Sequence, residues 1–182
     1  MTREVRLSTV GLIERVEGHD VFKKYMLDYI DNKPLNRLIE RNTDVSHTDW
    51  SESDNKNREY VNKFTSLISY NMKTVTNRLS LSYMDITDIW FQQYSRNAEH
   101  SWHGHFGSDW AGIYYVEMPN ERDKTLLWDY HSSKIVDDID LHEGDMFVFP
   151  STILHCSPLN ITDIRKTVIS FNMKVGDVTR LY

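Results

Sequence analysis

The spacing of apolar residues changes once along this chain, near residue 84, and that change limits the architectures open to it. From Val21 the residues Val21, Phe22, Tyr25, Met26, Tyr29 and Ile30 recur at helical spacing, and Pro34 stops the pattern soon after. Tyr60, Phe64, Leu67, Ile68, Met72, Val75 and Leu79 mark one face of a second, longer helix, read as core packing. The intervening stretch from Glu40 to Asn57 is polar, and its Ser51 and Ser53 suit helix N-caps. Beyond it the pattern is one of strands: Ile86 to Tyr94, Trp110 to Glu117, Thr125 to Trp128, Asp145 to Phe149 and Arg165 to Met173. Pro119-Asn120, Glu143-Gly144 and Pro158-Leu159-Asn160 supply the turns between them. Helices first and strands afterwards imply an α+β fold rather than alternating βαβ units. Short strands with no long helix between them imply a sandwich or barrel.

Length and composition narrow the class further. At 182 residues the chain suits one domain, 1–182, with no repeat, low-complexity tract or linker to divide it. Residues 1–84 are expected to be mainly helical support and 85–176 the β core. Cys156 is the only cysteine, which excludes an intrachain disulfide or a thiolate metal cluster and fits a reducing, cytoplasmic home. Met1 to Val10 alternates charged with apolar residues and lacks the apolar core of a signal peptide, and nothing approaches the length of a membrane span. The formal charge of −6 gives no general attraction to phosphate backbones, which argues against nucleic acid as a partner, although a local basic groove stays open.

Three of the eight histidines stand out by context. His103 and His105 flank Gly104, just before the strand from Trp110, and alternate residues of an extended segment point the same way. His155 follows the apolar strand from Asp145 and the turn-like Pro150-Ser151-Thr152. Antiparallel pairing can bring these positions together, and a mononuclear iron site needs three protein ligands on one face with the others open. Taken alone, a His-x-His pair also occurs on surfaces that bind nothing.

Five blocks in order carry a family resemblance: His103-Gly104-His105, Ala111 to Val116, Gly144 to Pro150, His155, and Arg165 to Asn172. Together they resemble the Fe(II)/2-oxoglutarate-dependent oxygenase superfamily, and within it uncharacterised bacterial and phage members distantly related to prolyl hydroxylases. The resemblance covers about half the chain, Trp90 to Met173. It implies a double-stranded β-helix, jelly-roll or cupin-like, with the N-terminal helices packed on one sheet. It also implies Fe(II) as cofactor, 2-oxoglutarate as cosubstrate and ascorbate as a possible stimulant. In the same way His103 and His155 are the first and last metal ligands, and Arg165 is the cation that grips the distal carboxylate of 2-oxoglutarate. A guanidinium suits that task because it binds a carboxylate bidentately and stays charged. Thr167 shares a strand face with Arg165, while Tyr115 and Tyr94 sit where related hydroxylases place phenols near the cosubstrate.

The chain departs from the family pattern at one ligand. Where the superfamily has a carboxylate this sequence has His105, which is taken as the third ligand and leaves the iron one negative charge short. Asp109 is the alternative carboxylate. The register of the last strand is open too, since aligning on Phe171-Asn172 turns Lys166 and Ser170 inward instead of Arg165 and Thr167. Trp102 and Trp110 are read as scaffold, His100 as a supporting or solvated residue, and Cys156 as core or pocket wall.

The leading functional expectation is a dioxygenase that hydroxylates a C–H bond of a small-molecule or peptidyl substrate, releasing succinate and CO2. Two others stand beside it: a three-histidine cupin-type dioxygenase without 2-oxoglutarate, and a non-catalytic metal-binding β-barrel module. The sequence leaves the substrate and the oligomeric state open.

Overall fold

The computed structural model describes residues 2–6 and 10–176. Its strands and helices, in chain order, begin with β1 (Thr2–Arg6), β2 (Val10–Arg15), α1 (His19–Asp31), β3 (Leu38–Glu40), β4 (Thr43–Val45) and β5 (His47–Thr48). There follow α2 (Glu59–Arg78), β6 (Met84–Tyr94), β7 (His100–His103), β8 (Trp110–Glu117), β9 (Leu126–Asp129) and β10 (Lys134–Val136). The chain ends in β11 (Asp145–Pro150), β12 (His155–Ser157) and β13 (Lys166–Val175). The strands form a seven-stranded sheet, β1-β2-β11-β8-β13-β6-β5, a four-stranded sheet, β10-β9-β12-β7, and the small pair β3-β4. Both larger sheets are antiparallel throughout. The result is the expected α+β jelly roll.

The major sheet is covered on both faces, and the two-residue period of its strands sorts the side chains between them. Ile89 and Phe91 of β6, Tyr114 and Val116 of β8, and Ile169, Phe171 and Met173 of β13 pack against the helices. Phe22, Met26 and Ile30 of α1 and Tyr60, Phe64, Ile68 and Val75 of α2 meet them there. Val21 belongs to the sequence stripe of α1 but lies in solvent. The opposite face of the sheet presents Ile13, Tyr94, Ala111, Ile113, Tyr115, Phe147, Phe149 and Val168 towards the minor sheet. Gly112 of β8 is fixed by this layering, because a Cβ there would come within 2.2 Å of the Phe171 ring.

Three differences from the sequence reading have physical reasons. The N-terminal segment adds strands to the major sheet, with β2 paired to β11, so residues 1–84 supply more than helices. Four buried residues at the centre of β2, covered on both faces, leave no alternation to read. The segment between the two helices contributes β3, β4 and β5, which are only two or three residues long. Neither Ser51 nor Ser53 caps α2, whose N-cap is Arg58 with no side-chain cap. Arg58 instead pairs with Asp49, donates to the Tyr60 hydroxyl at 2.9 Å and donates to the Ile89 carbonyl at 2.5 Å. Asp49 in turn accepts from the Phe91 amide at 2.8 Å, so a buried ion pair ties the start of α2 to β6. Among the described residues no helix is long and apolar enough to cross a membrane.

Candidate active site

His103 is the last residue of β7 and His155 the first of β12, and the two are directly paired across the minor sheet. His105 lies just past the end of β7, where its amide donates to the Ser151 carbonyl at 2.8 Å. Ser151 in turn bonds Asp109 through its amide and Ser108 through its hydroxyl, which pins the segment against the β11–β12 turn. One ring nitrogen from each histidine lies within 4.8 Å of the others. The ring centroids are 4.3 Å apart for His103–His155, 5.1 Å for His105–His155 and 5.2 Å for His103–His105.

Backbone geometry fixes the tautomers of two of these rings. His103 Nδ1–H donates to the Ser101 carbonyl at 2.7 Å, and His155 Nδ1–H donates to the Ile153 carbonyl at 3.0 Å. Each bond reaches the carbonyl two residues back and leaves Nε2 with its lone pair, the arrangement that orients metal-ligating imidazoles. His105 stacks on Trp90 with centroids 5.7 Å apart. Burial lowers the pKa of all three, reinforced for His105 and His155 by repulsion from the other imidazoles; His105 falls to about 4. At neutral pH the rings are therefore uncharged and competent to bind a cation. His100 stacks on His103 at 3.9 Å, is hydrogen-bonded to Gln92, and is pushed down to about 3, chiefly by burial.

Two spaces meet at these histidines. The deeper pocket is lined by Tyr94, Thr125, Cys156, Ser157, Lys166 and Val168 together with the three rings. The outer cleft has a volume of about 480 Å³, within the range of small-molecule sites.

Lys166 is the polar centre of the deeper pocket. It is 1% exposed, and its ammonium donates to the Asp123 carbonyl at 2.6 Å and to Ser157 Oγ at 2.9 Å. The ammonium also lies 5.0 Å from the centre of the Tyr94 ring. Burial pushes its pKa down to about 8, against the pull of the Asp123 carboxylate. Among the described residues no carboxylate is in ion-pair contact with it. A buried cation that no carboxylate touches, with Asp123 acting only from a distance, keeps part of a desolvation penalty that an incoming anion would offset. About 20 Å³ of the pocket is free, room for about one water, so any larger anion must displace side chains to enter.

Arg165 and Thr167, expected beside the cosubstrate, lie away from the three histidines. Lys166, Val168 and Ser170 face the site, while Arg165 lies on the far side, bonded to Glu117 at 3.0 Å and to Asp31 at the end of α1 at 2.9 Å. Thr167 donates to Glu117 at 2.5 Å. The parity follows from the helices: Ile169, Phe171 and Met173 are the more apolar set and claim the α2 side, leaving the set of Lys166 and Ser170 for the cavity. Asp109 is also elsewhere, since it accepts from the Val175 amide at 3.0 Å and pairs with Lys174. Tyr94 lines the pocket, and burial pushes its phenol up. Tyr115 is fully buried and donates to Thr125 Oγ1 at 2.8 Å. Cys156 is pocket wall, its thiol pushed up to about 11 by burial. Ser157, Thr125 and Gln92 carried no sequence signal, since isolated hydroxyl and amide residues are common on any strand.

No family model matches the chain, and no curated protein matches its sequence. Solved structures do match its fold. A Pseudomonas putida prolyl-4-hydroxylase superposes with a TM-score of 0.65 at 14% identity, over 91% of this chain and 93% of that one. The non-heme α-ketoglutarate-dependent epimerase SnoN of nogalamycin biosynthesis gives 0.67 at 12% identity, over 88% and 76%. The viral collagen prolyl hydroxylase of Paramecium Bursaria Chlorella virus-1, solved with 2-oxoglutarate, gives 0.55 at 11% identity, over 91% and 96%. The chain therefore has the double-stranded β-helix fold of the Fe(II)/2-oxoglutarate oxygenases.

Proposed function

We propose that this protein is an Fe(II)- and 2-oxoglutarate-dependent oxygenase that hydroxylates a C–H bond and releases succinate and CO2. The donor chemistry fits both groups. Three neutral imidazoles, two with Nε2 presented by backbone hydrogen bonds, suit Fe(II). The single observation that carries the reading is Lys166, a buried ammonium with no ion-pair partner in the pocket those imidazoles line.

His103, His105 and His155 would hold the iron, which when bound supplies oxygen activation coupled to decarboxylation of the cosubstrate. Lys166 and Ser157 would take the distal carboxylate, moving from their contact with the Asp123 carbonyl. Tyr94, Ile113 and Val168 wall the pocket and exclude water, which strengthens the ammonium–carboxylate attraction. The outer cleft is the route by which a substrate would reach the histidines. A cytoplasmic setting, suggested by the single cysteine, belongs to the same proposal.

The test is turnover without substrate. With Fe(II), ascorbate and oxygen the protein is expected to convert 2-oxoglutarate slowly to succinate. Iron bound with no succinate above an iron-only blank would favour the three-histidine dioxygenase, whose neutral ligand set the third imidazole also fits. Failure to bind iron at all would leave a non-catalytic β-barrel module.

A further inference from the structure

Resting on the oxygenase reading, the outer cleft also indicates what kind of substrate it takes. Besides the histidine segment with its following loop, and Asn172 of β13, three separate elements build it. β6 contributes Asp88, Trp90 and Gln92, alternate residues on the face that carries the site. β3 contributes Leu38 and Glu40, again alternate residues. The short helical turn Trp50–Glu52 contributes Trp50, whose ring meets that of Trp90 edge to face at 4.4 Å. Trp50 is 42% exposed and Phe106, at the rim, 72% exposed, so aromatic surface is on offer rather than consumed by the core.

The charge of the lining is one-sided. No lysine or arginine lines the cleft, whereas Glu40 and Asp88 both do. Among the described residues neither carboxylate is in an ion pair. Asp88 accepts one hydrogen bond, from Thr87 Oγ1 at 2.7 Å. The other polar side chains of the wall are Gln92, Ser108, Asn172 and the histidines. Carboxylates beside exposed indole and phenyl surface are the ordinary recognition chemistry for an organic cation, which gains charge-assisted hydrogen bonds from the one and a cation–π contact from the other. An anionic substrate would find no positive partner in this lining.

We propose that the substrate carries an ammonium or guanidinium group, held in the outer cleft by Glu40 and Asp88 against Trp50, with its alkyl chain directed to the three histidines. A basic amino-acid side chain or an alkyl amine has this form. Leu38 offers apolar surface along which such a chain would lie.

The test is equilibrium binding, by calorimetry, of four blocked amino acids of similar size to the metal-loaded wild-type protein. The probes are the N-acetyl methylamides of lysine, arginine, norleucine and glutamate. At least one of the two cationic probes is expected to bind about tenfold or more tightly than norleucine, with glutamate weakest. Glu40→Gln, a change at an exposed position, should cut that advantage severalfold, and Glu40→Gln with Asp88→Asn should remove most of it while leaving norleucine unchanged. Norleucine binding as tightly as both cations, no binding of either cation at about 10 mM, or a cation advantage that survives the double variant would each overturn the proposal. None of these readouts needs turnover, so absent succinate formation by the wild type would count against the oxygenase reading alone.

Discussion

Arg165 and Lys166 are neighbours in sequence and serve opposite faces of the same sheet: Arg165 pairs with Glu117 and Asp31 beside α1, while Lys166 is buried in the pocket behind the three histidines. Which of the two would anchor 2-oxoglutarate in the proposed oxygenase turns on that one-residue difference.

Substituting the two residues should separate their roles. Lys166→Met keeps the length of the side chain and removes the charge, and is expected to weaken 2-oxoglutarate binding by roughly ten- to a hundredfold, from a charge-assisted bond of about 1.5–3 kcal/mol. The fold should survive, because removing an unpaired buried charge also removes its desolvation penalty. Arg165→Ala should leave 2-oxoglutarate affinity within about twofold, since its ion pairs are partly exposed and contribute little to any site. Titration of both variants decides the matter, and a larger loss in the Arg165 variant would reverse the assignment.

Affinity for 2-oxoglutarate should also depend on pH with a definite sign. The Lys166 ammonium has a pKa pushed down to about 8 by burial. Binding therefore needs a proton on Lys166 that the empty site has half lost at that pH and loses almost wholly above it. With metal saturating, affinity is expected to fall as pH rises beyond about 8, and the bound carboxylate should raise the pKa in the complex. Lys166→Met should show no such alkaline limb. A wild-type affinity that stays flat to pH 10 would contradict this.

How much of this was legible beforehand depended on how many residues carried each signal. The two helices declared themselves through stripes such as Phe22-Met26-Ile30 and Tyr60-Phe64-Ile68, and His103, His105 and His155 through the blocks around them. The facing of β13 was not fixed by the sequence pattern, because Val168 and Ile169 are both apolar and the strand is buried on both faces. Only contact with α2 decides between the two parities. Short strands such as β5 and β12 lie below the length at which alternation can be read.

The third ligand can be tested by charge. His105→Asp is expected to retain Fe(II), because a carboxylate supplies both a donor and the missing negative charge. His103→Ala and His155→Ala should lose metal affinity by at least tenfold. Asp109→Ala should bind iron like the wild type and lose about 0.5–1.5 kcal/mol of stability with its bond to the Val175 amide. Metal titration and thermal melts of the four variants provide the comparison. Iron lost from Asp109→Ala would return that residue to the ligand set.

The layering of the sheet predicts a stability effect away from the histidines. In Gly112→Ala the new methyl would meet the Phe171 ring on the helix side, so the core must shift to admit it. A loss of about 1–3 kcal/mol is expected, with the melting temperature falling by several degrees. Denaturant unfolding reads this directly, and an unchanged midpoint would mean that Phe171 has room to move.

Since β13 is buried on both sides, its alternate residues answer to separate demands. Changes at Lys166 or Ser170 alter the lining of the pocket, whereas changes at Ile169, Phe171 or Met173 alter the packing of α2. Ligand preference and heat tolerance can thus drift along one strand without obstructing each other, and a lineage built on this sheet can exchange what it binds while keeping what holds it folded.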